Sequence, residues 1–409
     1  MSHKQFFLML GFFVSVCCMR AATAQWVNQS SGTTQTLLGV SFANANTGTV
    51  VGVNGVILRT TNGGTNWVNQ ASGTMRFLRS VHFVDVNTGT AVGESGLILR
   101  TTNGGTNWSS QPSGATNTFV HVYFADANTG TAVGLNGTIR RTVDGGASWV
   151  GQTSGTTVEL AGVHLVNRDI GMIVGFGGFI LRTTNGGAAW VRQNGGVTND
   201  LRSAHFVNAD TGFVVGYNGT ILRTNNGGST WIYQSSGTTN NLFSVHFSEV
   251  NTGTAVGTAI ILRTTDGGST WQRQPSGVTS DLYSVHFTDK NNGTAVGQLG
   301  RVLRTTNGGG TTKVEENGSV TPENYGLEQN YPNPFNPQTT ISFTLSSPQK
   351  VALKVYNALG REVATLLQEA RPAGRNVVSF DAANLASGIY FYEMRAEKFW
   401  GRKKMLLMR

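Results

Sequence analysis

The sequence predicts an all-β protein, in which a seven-bladed β-propeller of four-stranded blades is followed by a small β-sandwich. The first observation is a repeat marked by tryptophans, spaced by 41 residues and at the last step by 40: Trp26, Trp67, Trp108, Trp149, Trp190, Trp231 and Trp271. The second is composition, since 54 of 409 residues are Gly and 12% are charged, which is typical of a chain with many tight turns. A fixed period of this kind is the signature of a repeat architecture.

Each repeat contains four short predicted strands. In residues 78–114, the stretch from Leu78 to Val84 alternates and is rich in β-branched and aromatic residues, which predicts the first strand. The others are predicted at Thr90 to Gly93, Leu97 to Thr101 and Trp108 to Gln111. The turns between them contain Asn, Asp, Ser and Gly, which suit tight hairpins. Four antiparallel strands per repeat predict one propeller blade.

The two ends of the repeat region complement each other. The last turn, residues 305–312, is followed by no Trp, and Trp26 is preceded by no turn. We therefore expect the segment from Trp26 to Gln29 to supply the fourth strand of the last blade, with Trp26 paired with the strand near Leu303. Closing the ring in this way removes two exposed sheet edges. The predicted propeller spans residues 25–312.

The tryptophan-bearing turn resembles the Asp-box, or bacterial neuraminidase repeat, with the pattern S/T-x-D-x-G-x-T-W. Thr142 to Trp149 and Thr264 to Trp271 reproduce it most closely, and Asn replaces Asp in the other copies. Either side chain can accept backbone N–H bonds and close the turn. The predicted turn residues are Asn62, Asn103, Asp144, Asn185, Asn226, Asp266 and Asn307. Residues 26–312 as a whole resemble the photosystem II stability/assembly factor branch of these repeats, which implies the fold; no other feature of the sequence points to photosynthesis.

The C-terminal part is predicted to be a separate domain. Residues 313–325 form a polar linker, and residues 326–409 contain six strands of a small β-sandwich. This tail resembles the type A C-terminal sorting domain of the type IX (Por) secretion system. The residues that we expect to form the sorting signal are Asn333, Pro334, Phe335, Asn336, Pro337, Gly388, Tyr390, Lys403 and Lys404. The resemblance implies the type IX machinery as a partner and a secreted or outer-membrane surface location, with the tail cleaved or used for attachment.

The N-terminus predicts entry into the periplasm. Lys4, the apolar run from Phe6 to Val16 and the A-x-A site at Ala22 to Ala24 predict a signal peptide over residues 1–24, cleaved before Gln25. A lipoprotein site at Cys17 is the alternative, although Val16 stands where a small residue is expected. The apolar run is too short to span a membrane, so we expect no transmembrane segment in the mature chain.

Histidines recur at one position of the first strand. They are His82, His164, His205, His246 and His286, with Ser41 and Tyr123 at the equivalent positions of blades one and three. They can be interpreted as a metal-binding ring or as residues that hydrogen-bond between blades. Zinc needs ligands that converge within about 2.1 Å of one point, whereas residues repeated once per blade diverge around a ring. We expect a structural role and predict no metal and no cofactor.

An arginine precedes each of the seven Asp-box turns. They are Arg59, Arg100, Arg141, Arg182, Arg223, Arg263 and Arg304. They can be interpreted as a site that captures anions or acidic glycans, or as residues that bond to box-turn carbonyls or stack on Trp. The presence of the same arginine in all blades favours the structural role, because functional sites are built from unlike residues that converge on one point. The net charge of +9 is spread thinly, which predicts no nucleic-acid surface.

The sequence favours binding over catalysis. An extracellular glycan-active hydrolase of sialidase type is the alternative, and most glycosidases need two facing carboxylates. The Glu residues of the predicted propeller are Glu94, Glu159 and Glu249, at three different positions of the repeat. We therefore predict no enzyme activity and no catalytic residues.

The predicted binding surface is the propeller face that contains the Asn-Gly turns and the Ser-Gly-Thr-Thr loops, here called the first face. Its equivalent turn positions differ among the repeats, and Phe176 and Tyr217 fall on adjacent blades. Exposed aromatics suit a protein or glycan contact, although drift on a solvated loop would give the same variation. The candidate residues are Glu94, Leu135, Phe176, Tyr217 and Gln298. The predicted function is recognition or scaffolding outside the cell, with an unknown extracellular protein or glycan as partner.

Overall fold

The computed structural model describes residues 26–277, 279–310, 325–397 and 399–408. Its contacts divide the chain into two compact units, one that ends at residue 312 and one that begins at residue 313. The predicted signal peptide, the alternative lipoprotein site at Cys17 and all of the linker except Tyr325 lie outside the described residues. None of the described residues belongs to a helix long and apolar enough to cross a membrane.

The first unit is a propeller of seven antiparallel four-stranded sheets. An N-terminal strand, β1 (Val27–Gln29), precedes the first blade. Blades one to three are β2 (Leu37–Phe42), β3 (Gly48–Gly52), β4 (Ile57–Thr60), β5 (Val68–Asn69); β6 (Leu78–Phe83), β7 (Gly89–Gly93), β8 (Ile98–Thr101), β9 (Ser109–Ser110); and β10 (Phe119–Phe124), β11 (Gly130–Gly134), β12 (Ile139–Thr142), β13 (Val150–Gln152).

Blades four to seven repeat the arrangement. They are β14 (Leu160–Leu165), β15 (Gly171–Gly175), β16 (Phe179–Thr183), β17 (Val191–Asn194); β18 (Leu201–Phe206), β19 (Gly212–Gly216), β20 (Ile221–Thr224), β21 (Ile232–Gln234); β22 (Leu242–Glu249), β23 (Thr252–Gly257), β24 (Ile260–Thr264), β25 (Gln272–Arg273); and β26 (Leu282–Phe287), β27 (Gly293–Gly297), β28 (Val302–Thr305). The first strand of each blade packs against the first strands of both neighbours, so these seven strands surround the axis.

The predicted ring closure is confirmed. Strand β1 pairs antiparallel with β28 and completes the last blade, with Asn28 opposite Leu303 and Gln29 opposite Val302. The pairing predicted for Trp26 itself is wrong, because the register begins with Val27 opposite Arg304; Trp26 precedes the paired residues and is 1% exposed. The last blade therefore combines strands from both ends of the propeller sequence.

Packing between strands explains the recurring Gly at the start of the second strand. In blade two, Phe83 lies under Gly89, where an added Cβ would come within 2.5 Å of the ring. The same ring meets Trp108 edge to face, with 5.9 Å between the ring centroids. A side chain larger than hydrogen at position 89 would displace this aromatic pair.

Box turns with Asn and with Asp accept the same backbone hydrogen bonds. Thr101 Oγ1 accepts from the backbone N–H of Gly105 at 2.8 Å, and Asn103 Oδ1 accepts from that of Asn107 at 3.0 Å. In the Asp version, Asp144 Oδ1 accepts from the N–H of Ser148 at 2.9 Å. These side chains take the place of a backbone acceptor in closing the turn.

The second unit is a β-sandwich. One sheet has the order β29 (Gly326–Leu327), β30 (Gln338–Leu345), β33 (Gly374–Asp381), and the other has the order β32 (Glu362–Arg371), β31 (Gln349–Asn357), β34 (Gly388–Ala396), β35 (Phe399–Leu407). Phe343, Leu353, Tyr392 and Met405 are fully buried in its core.

Candidate functional site

The five first-face candidates occupy equivalent, half-buried positions at the start of the turn between the second and third strands of their blades. Each is tied by its backbone to the loop that enters the inner strand. The N–H of Phe176 donates to Glu159 O at 3.0 Å, and that of Tyr217 donates to Asp200 O at 2.8 Å. These bonds hold the candidate residues against the loops that lead into the inner strands.

Arg202 brings Phe176 and Tyr217 together. Its guanidinium carbon lies 5.3 Å from the ring centroid of Phe176 and 5.8 Å from that of Tyr217. Arg202 Nη1 also lies 3.4 Å from Glu159 Oε1, and both of these side chains are about three-quarters buried. A largely desolvated guanidinium close to two aromatic rings is a favourable cation–π arrangement.

The aromatic row continues across blades six and seven. The ring of Tyr217 meets Phe243 edge to face at 6.1 Å, and Phe243 lies 5.4 Å from Tyr283. Gln298 Nε2 donates to the Tyr283 hydroxyl at 3.0 Å and to Asp281 Oδ2 at 3.2 Å. Burial is the main cause that raises the pKa of Tyr283, so it stays protonated. We call this set the mouth cluster: Phe176, Arg202, Tyr217, Phe243, Tyr283 and Gln298.

Two of the predicted residues lie apart from this cluster. Glu94 and Leu135 belong to blades two and three, whereas the cluster belongs to blades four to seven. Glu94 Oε2 accepts from the N–H of Phe77 at 3.0 Å. Among the described residues, no recorded ring contact, ion pair or hydrogen bond joins either side chain to the mouth cluster.

Sequence reasoning missed Arg202, Phe243 and Tyr283. Each follows the buried Leu that begins its inner strand, and the pairing register shifts at that point, as between Leu201 and Ser203. Such a bulge leaves one residue outside the ladder and redirects its side chain. The available signal was variation among the repeats at this position, which holds Leu38, Arg79, Val120, Ala161, Arg202, Phe243 and Tyr283.

Below the mouth cluster lies an axial cavity of about 120 Å³, lined by the first residues of the inner strands. Pockets for drug-sized ligands measure about 300–1,000 Å³, so this cavity is small for a sugar. A larger ligand would rest on the mouth cluster rather than enter the axis.

The histidine series forms a stack around the axis. Ring centroids are 4.3 Å apart between His82 and Tyr123, 4.4 Å between Tyr123 and His164, and 4.7 Å between His164 and His205. Desolvation by burial lowers the pKa of His82 and of His164 to about 3, so both are neutral near pH 7. Among the described residues, no group of three or more His, Cys, Asp or Glu side chains could hold a metal ion.

Five members of the arginine series donate to a carbonyl oxygen in the first turn of the next blade, and these partners differ from those that the sequence suggested. They are Arg59, Arg100, Arg141, Arg263 and Arg304. Arg100 donates to Ala127 O, in the first turn of the next blade, at 2.6 Å, and to Thr90 Oγ1 at 2.7 Å. Its guanidinium lies over Phe124 at 4.8 Å rather than over a Trp. Because these bonds use the guanidinium, Arg100 is a structural residue rather than a ligand for an acidic glycan.

A second link between blades was not foreseen from the sequence. Gln152 Nε2 donates to Gly186 O at 2.9 Å in the next box turn, and its Oε1 accepts from Trp190 Nε1 at 2.9 Å. Gln70 forms the equivalent bonds with Gly104 and Trp108. The signal was the recurrence of Gln three residues after each of the seven repeat tryptophans.

The hydrolase alternative requires three arginines, a tyrosine with a glutamate partner, and an acid in one pocket. Arg79 and Arg202 are the arginines that line the cavity. Glu159 pairs with Arg202, while Tyr283 bonds to Gln298 and has a raised pKa, opposite to the activation that a nucleophile needs. The mouth therefore has an arginine, tyrosines and an acid, but not the pairing that this chemistry requires.

Several of the predicted sorting residues hold the tail together. Phe335 is 2% exposed, and its N–H donates to Leu406 O at 3.0 Å in the last strand. Asn333 Oδ1 accepts from the N–H of Leu406 at 2.9 Å, and the Tyr390 hydroxyl donates to Ala386 O at 2.8 Å. The half-buried sorting residues are Pro337 and Gly388, and the exposed ones, besides Asn333, are Pro334, Asn336, Lys403 and Lys404.

Comparisons with known sequences match both units. Residues 18–115, 113–196 and 195–277 match the family described as photosynthesis system II assembly factor YCF48. Residues 329–408 match the secretion system C-terminal sorting domain. A search of curated proteins gave no match.

Solved structures share the propeller. One described as YCF48 bound to D1 peptide is 24% identical, with a TM-score of 0.60 over 69% of this chain and 95% of that chain. YCF48 from Cyanidioschyzon merolae is 23% identical, with a TM-score of 0.59 over 69% and 99%. The WD40 β-propeller domain of Doa1 is 13% identical, with a TM-score of 0.58 over 68% and 96%. At these identities the likeness shows the fold.

Proposed function

The chain belongs to the photosynthesis system II assembly factor YCF48 family, and we propose that it is a recognition module that binds a polypeptide segment on the first face of its propeller. The C-terminal sorting domain indicates export by type IX secretion to the cell surface or the extracellular space. The polypeptide partner is therefore expected outside the cell. A D1 peptide is named for a structural neighbour, and we do not transfer that ligand to an exported chain.

The observation that carries this proposal is the mouth cluster. It places three aromatic rings and a guanidinium in contact across adjacent blades, from Phe176 through Arg202 and Tyr217 to Phe243. Binding hot spots are enriched in Tyr and Arg, because rigid rings give a large contact area at little cost in conformational entropy.

The chemistry of the cluster suits a polypeptide. Gaps between half-buried rings accept apolar side chains, while Arg202 has N–H groups that can donate to backbone carbonyls. The small volume of the axial cavity, about 120 Å³, weighs against a sugar inserted at the axis. A structural neighbour with the same fold is described as bound to a peptide.

The test is selection from a displayed library of random dodecapeptides on the immobilised full chain, followed by affinity measurements on the enriched peptides. The Phe176→Ala/Tyr217→Ala double variant should bind these peptides at least tenfold more weakly, because it removes two rings of the cluster. The matched control is Tyr233→Ala, since Tyr233 is 57% exposed on an outer strand of blade five.

A glycan array probed with the same proteins tests the glycan alternative. Peptides that bind the double variant as well as the unmodified chain would place recognition elsewhere. Binding of glycans, with no peptide enriched, would replace the polypeptide by a carbohydrate as the partner.

A further inference from the structure

The axial cavity beneath the mouth cluster contains hydrogen-bond donors contributed by several blades. At one position of the inner strand, the repeats hold Gly39, Ser80, His121, Gly162, Ser203, Ser244 and Ser284. The serines and the histidine of this set line the cavity. Their hydrogen bonds decide what the cavity can bind.

The serine oxygens are already used as acceptors. Ser203 Oγ accepts from the N–H of Val245 at 3.3 Å, and Ser244 Oγ accepts from that of Val285 at 3.2 Å. Ser80 and Ser284 bond in the same way to the blades that follow them. Each hydroxyl therefore has its hydrogen left to donate, and the described residues provide no recorded acceptor for it.

His121 adds a further donor. Its Nδ1 accepts from the N–H of Val163 at 3.5 Å, which places the proton of the neutral ring on Nε2. Desolvation by burial lowers the pKa of His121 to about 4, so the ring is neutral near pH 7. Its Nε2–H joins the serine hydroxyls as a donor.

The charged side chains that line the cavity are positive. Arg79 and Arg202 both line it, and the lining includes no carboxylate. Arg202 shares its charge with Glu159. Arg79 has no recorded ion pair or side-chain hydrogen bond to any described residue, and its buried Nε lacks a partner.

We propose that the axial cavity is a binding site for a small oxyanion, the size of phosphate or acetate. Hydroxyl, imidazole and guanidinium donors surround a volume of about 120 Å³, enough for several waters or one small polyatomic ion. Buried donors without acceptors are costly, and hydrogen bonds from them to an anion are about twice as strong as bonds between neutral groups. This site goes beyond the recognition role and does not depend on it.

The test measures thermal unfolding and isothermal titration of the full chain with sodium phosphate and sodium acetate. Sodium chloride at equal ionic strength is the reference, since it reports general screening. A ligand that binds only the folded state stabilises it by RT ln(1 + [L]/Kd), so the unfolding temperature rises once the free ligand concentration exceeds Kd. Phosphate or acetate should raise it beyond the chloride value.

Arg79→Gln is the decisive variant, because it removes a charge without breaking any recorded bond within the protein. We expect the dissociation constant of the anion to rise at least tenfold. Arg76→Gln is the matched control, since Arg76 is an exposed arginine in the loop before the same strand, and it should bind as the unmodified chain does. The Ser203→Ala/Ser244→Ala variant should also bind the anion more weakly. The readout is the change in unfolding temperature that the anion causes, because the substitutions also change the stability of the protein without anion.

Two results would overturn the proposal. One is a response to phosphate and acetate no larger than that to chloride, which would leave a cavity that holds only water. The other is equal binding by Arg79→Gln and the unmodified chain. Arg79→Gln should keep the polypeptide affinity, because Arg79 lies outside the mouth cluster, so failure of polypeptide recognition and failure of the anion site can be told apart.

Discussion

The indole nitrogen of Trp26 donates a hydrogen bond to Gln274 Oε1 at 2.9 Å, although the two residues are 248 positions apart in sequence. Gln274 Nε2 also donates to Gly308 O at 3.2 Å. One glutamine of blade six thus holds both the box turn of blade seven and the N-terminal segment that completes that blade. Ring closure therefore rests on side-chain bonds as well as on the pairing of β1 with β28.

The first prediction concerns this closure. Trp26→Ala should lower the free energy of unfolding by about 3–5 kcal/mol, the usual range for a large buried aromatic residue. Trp26 is 1% exposed and meets Phe287 edge to face at 5.8 Å. Trp108→Ala is the matched comparison and should cost less, because Trp108 is half-buried and its bond to Gln70 is 3.3 Å long. Urea denaturation measures both, and equal losses would argue against a special role for the closing strand.

The second prediction concerns the arginines between blades. Arg100→Gln should lower the free energy of unfolding by about 3 kcal/mol, because charged hydrogen bonds to Ala127 and Thr90 are lost from a side chain that is 7% exposed. Arg168→Gln is the control: Arg168 pairs with Asp126, but its side chain is 67% exposed. Exposed pairs contribute about 1 kcal/mol or less. Similar effects of the two substitutions would contradict the structural role of the arginine series.

The third prediction concerns pH. In the unfolded chain His82 titrates near its ordinary pKa of 6.5, whereas desolvation lowers the pKa of folded His82 to about 3. The unfolded state therefore binds more protons between these values. Stability should be fully present above about pH 6.5 and should fall as pH decreases towards 3. Denaturation midpoints between pH 7.5 and 5, above the range in which carboxylates titrate, measure this slope.

His82→Ser is the matched variant for this measurement. Ser41 occupies the equivalent position of blade one, and its Oγ accepts from the N–H of Phe83 at 3.0 Å. The repeat thus already accommodates Ser there. In this variant, the free energy of unfolding should depend less steeply on pH. The decrease is up to about 1.4 kcal/mol per pH unit, which corresponds to the uptake of one proton. An unchanged slope would mean that the His82 ring is not what makes the fold sensitive to acid.

The blade architecture and the closure of the ring could be predicted from the sequence. Both depend on local features, namely the spacing of the strands, the turn residues and the missing Trp of the last repeat. The site was only partly accessible. Phe176 and Tyr217 were identified, but Arg202 between them was not, because a bulge redirects it and alternation alone does not reveal a one-residue shift. The predicted hydrogen-bond partner of Arg100 was also wrong, because contacts between blades depend on the distance between neighbouring blades, which the sequence of a single repeat does not reveal.

The fourth prediction concerns export. Deleting residues 326–409 should leave the propeller folded but retained in the periplasm, because the sorting domain is removed. Cell fractionation and circular dichroism of the retained protein measure location and fold. Truncated protein found outside the cell at the normal level would contradict the sorting role.

Point substitutions should distinguish the tail residues that direct export from those that maintain the fold of the tail. Phe335→Ala removes a core side chain that is 2% exposed, so it should destabilise the tail by about 3–5 kcal/mol and block export indirectly. Lys403→Ala/Lys404→Ala alters exposed residues, so the unfolding temperature should stay unchanged while the exported fraction falls severalfold. Lys350→Ala is the control, since Lys350 is an exposed lysine on strand β31 of the same sheet. Normal export of the double lysine variant would restrict the signal to residues that also maintain the fold.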